Sequence, residues 1–253
     1  MNRQAESAAR SGNLNAQTEL FGDIAQRYDG INRVLSMGRD NHWRRLAADA
    51  LRLPPGGCVL DVGIGTGDVA LVVTERRPDA AVVGLDTTIP MMDVGRKKLG
   101  GDRVAWTQGD GLRLPFPDRH FDAAISAFLL RNIFDGQDRR PVAQALAEQR
   151  RVVREGGQVV SLELSWPQTP VFRTLFRLYF AGLMPPVAGL LSGKPAAYRY
   201  LPRSVHRFLT PGELTETMEV IGLRNVGCRR LALGTVTLHF AERGSDEEEG
   251  PCG

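Results

Sequence analysis

Apolar and polar positions divide this chain into short apolar runs separated by longer amphipathic stretches. From Leu20 to Leu51 the apolar residues recur at helical spacing, first in FGDIAQRYDGINRVLSMG and then in DNHWRRLAADALRL. Asp40 is a fitting N-cap for the second helix, and Pro54-Pro55-Gly56-Gly57 stops it. The run CVLDV follows and ends in glycines, and the helical stretch DVALVVTERRP leads to a second run, AVVGLD. The alternation continues: the helix PMMDVGRKKLG, the strand VAWTQGD, the strand FDAAISAF, the helix PVAQALAEQRRVV and the strand QVVSLELS. Short apolar runs alternating with helices predict βαβ units and a parallel sheet covered on both faces. After Trp166 the rhythm changes, because residues 167–208 are apolar, helical and broken by proline. A closing unit follows, with the helix PGELTETMEVIG and two strands, LRNVGCRRL and TVTLHFAE. Only Ala232-Leu233-Gly234 joins those strands, so the seven-stranded sheet is expected to end on an antiparallel strand.

The ends of the chain read differently. Residues 1–17 are polar and small, which predicts a disordered arm, and residues 244–253 form an acidic disordered tail. Residues 18–243 make one domain, with a helical lid at 18–53 and a helical insert at 167–208. Leu178–Leu191 is the longest apolar run, too short to span a bilayer and interrupted by Pro185-Pro186. With no apolar segment in the first twenty residues and three cysteines lacking metal-ligand or disulfide spacing, a cytoplasmic protein without a structural metal is expected. Net charge is +3, and four of the 29 acids lie in the tail, so the body is more basic than that figure. A basic body suits anionic small molecules, an anionic membrane or nucleic acid, and does not choose among them.

The chemistry is concentrated at the ends of the apolar runs. In VLDVGIGTGD, Gly63, Gly65 and Gly67 are spaced two and two. A dinucleotide loop needs its third glycine one residue later, and a P-loop needs Gly-Lys-Ser/Thr, which is missing. Asp68 at the loop mouth opposes a pyrophosphate, whereas Asp61 attracts the ammonium group of a methionine moiety. Thr66 completes the loop contacts. Asp86 ends the next strand, where a carboxylate accepts from both ribose hydroxyls, and Asp110 ends the third, where it accepts from the adenine amino group beside the Gly111 backbone. Acids at three successive strand ends share one edge of a parallel sheet, which is where ligands bind in such folds. The set points to S-adenosyl-L-methionine. The fourth strand end, Phe128-Leu129-Leu130-Arg131-Asn132, lacks both the Asn/Asp-Pro-Pro-aromatic turn and the Pro-Cys pair of base methylation, so nucleic acid is not expected as the acceptor.

Several stretches together resemble the ubiquinone/menaquinone biosynthesis C-methyltransferase family. They are FGDIAQRYDGINRVLSMGRDNHWR, VLDVGIGTGD, MMDVGRKK, GDGLRLPFPDRHFD, FLLRNIFD, RVVREGG, LELSWP and AYRYLPRSVHRF. The resemblance implies a Rossmann-like class I methyltransferase fold and a polyprenylated quinol acceptor methylated on ring carbon. Demethylmenaquinol is the first expectation and the ubiquinone-pathway benzoquinol the second. A different lipophilic or phenolic acceptor, or a non-catalytic partner in a quinone-synthesis assembly, are the alternatives. Arg131 is the expected catalytic residue, stabilising a phenolate or holding a water. Tyr28 and His206 are further catalytic candidates, with His42, Tyr198 and Tyr200 behind them. Ala127 and Asn132 complete the expected cofactor contacts. Ala127, Leu129 and Ile64 depart from the residues usual at their positions in the family. In the insert, Phe172, Leu175, Phe176 and Tyr179 share a helical face, and Arg173 and Arg177 share another. An arginine-bearing amphipathic helix within 170–191 is expected to touch the inner face of a membrane or to form a homodimer contact.

Overall fold

The computed structural model describes residues 2–134, 136–192 and 204–245. Tyr198, Tyr200 and the tail acids from Asp246 to Glu249 lie outside the described residues. Helix α1 (Asn2–Leu35) and α2 (Asp40–Asp49) precede the sheet. The alternation then runs β1 (Cys58–Val62), α3 (Asp68–Arg76), β2 (Ala81–Asp86), α4 (Ile89–Arg96) and β3 (Val104–Gln108). It continues through β4 (Phe121–Ala127), the short α5 (Leu130–Ile133), α6 (Arg140–Val152) and β5 (Val153–Leu164). Helices α7 (Pro170–Leu178) and α8 (Met184–Ser192), joined by a π-helical turn at Tyr179–Leu183, form the described part of the insert. Helix α9 (Pro211–Val220) and strands β6 (Leu223–Leu231) and β7 (Val236–Arg243) close the chain.

The strand order is β3-β2-β1-β4-β5-β7-β6. Strands β1 to β5 pair in parallel, and β7 runs antiparallel to both β5 and β6. The antiparallel strand is therefore interior, and β6 forms the edge. Apolar residues on both faces explain the centre of the sheet: alternate positions of β1 and β4 feed two clusters, one around Leu60, Val62 and Ala124 and the other around Val59, Ala123 and Ile125. Helix α6 covers the first cluster with Val142, Ala145, Leu146 and Val152, an i, i+3, i+4 pattern. Helix α9 begins with a reciprocal capping box between Thr210 and Glu213, and Pro211 stands at its first turn.

Two features differ from the sequence reading. The backbone of residues 2–17, read as an arm, is continuous with α1. Its Ala, Arg, Gln and Glu are strong helix formers, so polarity alone does not keep a segment out of helix. The insert also builds its own core against α1, where Ile24 and Ile31 meet Phe180, Met184, Ala188 and Val205. This cluster sits over the carboxyl ends of the strands. Strand order reverses between β1 and β4 there, which makes that crevice the natural ligand site.

Candidate active site

The loop after β1 is built by its glycines. Gly63, Gly65 and Gly67 have φ of 73°, 54° and 81°, in the left-handed region that side chains disfavour. A Cβ on Gly63 would meet Leu129 at 2.7 Å, and one on Gly67 would meet Trp106 at 2.6 Å. The family departures Leu129 and Ile64 have a packing reason, since Leu129 presses on Gly63 and Ile64 fills the space above Gly84. The backbone N–H of Gly63 donates to the Leu85 carbonyl at 2.7 Å, fastening the loop to β2.

A narrow cleft beside this loop is lined by Gly63, Gly65, Asp86, Asp110, Gly111, Ala127 and Asn132, with Tyr28 closing it from α1. Asp86 accepts from the Gly65 N–H through Oδ2 at 2.8 Å and from the Thr88 N–H through Oδ1 at 2.8 Å. Its carboxylate lines the cleft, where it can accept from ribose hydroxyls. Burial pushes its pKa up, and those backbone donors oppose the rise. Asp110 accepts from the Leu112 N–H at 2.9 Å, which aims its carboxylate along the turn carrying Gly111. These residues fit S-adenosylmethionine: acids for ribose and adenine, and bare backbone where the sulfonium arm passes.

Three expected contacts fall elsewhere. Asp61 is 2% exposed and does not line the cleft. Burial pushes its pKa up to about 7, while the Ala70 N–H in the first turn of α3 pulls the other way. Its carboxylate holds the start of that helix. Thr66 is buried and donates its hydroxyl to Asp29 of α1 at 2.6 Å. Gly67 is buried as the residue that turns the chain into α3. Asp68 pairs with Lys98 at 2.5 Å and lies 3.7 Å from Arg44, so its charge is compensated within the protein.

A second, wider cavity of about 740 Å³ opens on the far side of Tyr28 and Phe128, and both residues line both spaces. Its walls are largely apolar: Trp43 from α2, Leu164 from β5, Phe172, Phe176 and Tyr179 from the insert. Phe128 sits at φ 59°, a costly conformation for an aromatic residue, held by its N–H bond to the Leu162 carbonyl at 2.7 Å. Arg131 also lines this cavity and is 5% exposed. It donates to Asn132 Oδ1 at 2.9 Å and to the Ser204 hydroxyl at 3.3 Å. Behind it, Glu163 is fully buried and accepts from the Leu130 N–H at 2.6 Å. Burial pushes the Glu163 pKa up to about 7, and the Arg131 charge opposes the rise. His206 is exposed and rests against Trp166, with ring centroids 4.9 Å apart, lining neither space. His42 is likewise exposed and lines neither. The sequence reading missed Arg44 and Asp40, which form a buried ion pair at 2.9 Å in the cavity wall. An i, i+4 Asp/Arg pair is the only sequence signal, and it also describes a solvated helix face.

Residues 10–243 match the ubiE/COQ5 methyltransferase family. The chain belongs to that family. It is 44% identical over 212 residues to the demethylmenaquinone methyltransferase of Deinococcus radiodurans, covering 83% of this chain and 85% of the relative. It is 42% identical over 227 residues to the Thermus thermophilus protein of the same description, covering 88% and 100%. The fold matches a SAM-dependent methyltransferase from Thermotoga maritima with a TM-score of 0.60 at 15% identity, over 90% of this chain and 99% of that one. This family member is an S-adenosylmethionine-dependent methyltransferase with the class I fold. Among the described residues no group of three or more His, Cys, Asp or Glu is placed to hold a metal ion.

Proposed function

We propose that this C-methyltransferase of quinone biosynthesis acts on demethylmenaquinol, placing the methyl group on a ring carbon. The observation that carries this reading is the meeting of the cofactor cleft with the wide apolar cavity at Tyr28 and Phe128. A cavity of about 740 Å³ lies in the range that buries a ring and part of its tail. The relatives described as demethylmenaquinone methyltransferases favour a naphthoquinol over a benzoquinol.

S-adenosylmethionine supplies an electrophilic methyl group on sulfur. The chain's own residues must then bring a nucleophilic carbon into line with it, and alignment of this kind is worth roughly 7–11 kcal/mol of barrier. Arg131 faces the hydroxyl beside the reacting carbon, favours its phenolate form and so raises electron density at that carbon. Arg131 would also hold the water that takes the ring proton once that carbon carries the methyl group, restoring the aromatic ring. Tyr28 orients the ring at the junction. Helices α1 and α2 act as the lid that excludes bulk water. His206 has no part in this scheme, because it lines neither space.

The finer partner reading is a membrane surface. Helix α7 and the turn after it present Phe172, Leu175, Phe176 and Tyr179 to the cavity, while Val171 and Leu178 stand largely exposed beside the exposed Arg173 and Arg177. Apolar residues flanked by arginines suit an anionic lipid surface better than a second copy of a basic chain. No helix among the described residues is long and apolar enough to cross a membrane. The test of the acceptor is mass spectrometry of quinones in cells lacking the protein. Accumulation of the naphthoquinone short of one ring methyl supports the reading, and an unchanged quinone profile contradicts it.

A further inference from the structure

Two guanidiniums besides that of Arg131 line the acceptor cavity, those of the exposed Arg39 and the buried Arg44. Arg44 on α2 is 6% exposed and lines the cavity wall. Its Nη1 donates to Asp40 Oδ2 at 2.9 Å and lies 3.7 Å from Asp68 Oδ2. Its guanidinium carbon stands 5.4 Å from the centre of the Phe128 ring. Asp40 is in turn held by the Ser36 hydroxyl at 2.8 Å, so the pair is fixed from behind. The Nε and Nη2 donors of Arg44 make no hydrogen bond among the described residues. A buried, permanently charged fork with unused donors in an apolar cavity is built to meet an oxygen.

We propose that Arg44 binds a second ring oxygen of the acceptor, para to the hydroxyl that Arg131 faces, so that the site selects aromatic diols over single phenols. The inference rests on the quinol reading above and deepens it. Carbon methylation draws electrons from a hydroxyl ortho to the reacting carbon. The para oxygen is meta to that carbon and does not activate it, which leaves it free to serve as a handle. Phe128, three residues before Arg131, carries its ring against Arg44, so one turn of chain brings both guanidiniums to the same space. Each has its own counter-charge, Asp40 and Asp68 for Arg44 and Glu163 for Arg131. The outer donors of Arg44 can therefore be spent on a ligand. Arg44 is thus a specificity-determining residue.

The test is calorimetric titration of two short-chain ligands onto protein loaded with S-adenosylhomocysteine. One is a 2-alkyl-1,4-naphthalenediol. The other is a 3-alkyl-1-naphthol, which keeps the hydroxyl beside the reacting carbon and lacks the one para to it. Wild type is expected to bind the diol at least about tenfold more tightly, because a donor left unpaired in a buried site is penalised. Arg44→Gln should bring the two ligands within about twofold while leaving S-adenosylhomocysteine affinity in place. Equal binding of the two ligands by wild type overturns the inference. So does a diol preference that survives in Arg44→Gln, and if S-adenosylhomocysteine affinity falls alongside it, Arg44 is a structural staple to Asp68. If wild type binds neither ligand, the quinol reading itself fails and the inference goes with it.

Discussion

Thr66 of the glycine loop donates its hydroxyl to Asp29 of α1 at 2.6 Å, across 37 residues of sequence. Lys98 extends the contact, reaching Asp29 Oδ2 at 2.7 Å and Asp68 Oδ1 at 2.5 Å. The helix proposed as a lid is thus tied to both sides of the loop that receives the cofactor. Asp29→Ala removes the acceptor for Thr66 and one partner of Lys98. Calorimetry is expected to show S-adenosylmethionine bound about tenfold more weakly, a cost of about 1.4 kcal/mol. Amide exchange across residues 21–30 should quicken in parallel. Unchanged affinity together with unchanged exchange would mean that lid and loop are energetically independent.

Arg131 requires a variant that separates chemistry from stability. Removing it alone leaves the fully buried Glu163 without the charge that favours its ionised form, so the carboxyl must take up a proton, at a cost in stability above about pH 7. The double variant Arg131→Ala with Glu163→Gln avoids that penalty. It is expected to hold the cofactor within about threefold of wild type. Its kcat should nevertheless fall by about 10²–10³, the usual effect of losing one donor aimed at developing charge. Steady-state kinetics with a reduced prenylated naphthoquinol reads both numbers. Retained turnover would remove Arg131 from the chemistry.

The fully buried Glu163 also predicts a pH dependence of stability. Its pKa is near 4.5 when unfolded and about 7 when folded, so the folded state holds the proton more tightly. Stability is therefore highest below the unfolded value and declines as pH rises toward about 7, flattening above it. Glu163→Gln cannot titrate and should reduce the fall in Tm between about pH 5 and 8. Asp61, raised to about 7 in the same sense, keeps part of the slope. Scanning calorimetry of wild type and variant decides the point, and identical slopes would show that Glu163 does not change its protonation on folding.

The exposed face of α7 predicts membrane association through charge and apolar contact together. Replacing Arg173 and Arg177 with Glu should weaken sedimentation with vesicles of anionic phospholipid, at roughly 1 kcal/mol per arginine lost. Binding by wild type should decline with added salt. Equal sedimentation of the two proteins counts against the membrane reading. A dimer lost in the variant would assign the face to a second copy.

Much of this was legible in the residues, for a physical reason in each case. Runs such as CVLDV and FDAAISA are mostly apolar without alternation, as a strand covered on both faces requires, and they are buried nearly throughout. Acids closing β2 and β3 had to reach the same sheet edge, and Asp86 and Asp110 do line the cleft. Sequence does not say which way a polar side chain at a strand end turns, and Asp61 and Thr66 both turn into the protein. Asp68 does not repel anions as a bare acid would, because Lys98, 30 residues away, donates to it. The interior position of β7 was hidden for a similar reason, since a tight two-strand finish does not reveal which strand inserts beside β5. Arg44 was invisible as a cavity residue because the groups it packs against, Asp68 and Phe128, lie far along the chain.

The most direct measurement is transfer of a ¹³C-labelled methyl group from S-adenosylmethionine to reduced demethylmenaquinone by the purified protein, with the product read by NMR. The account predicts a labelled methyl carbon bonded to the ring carbon beside a hydroxyl, with the prenyl tail unchanged. A label found on oxygen, or no transfer by protein that binds the cofactor, would contradict it.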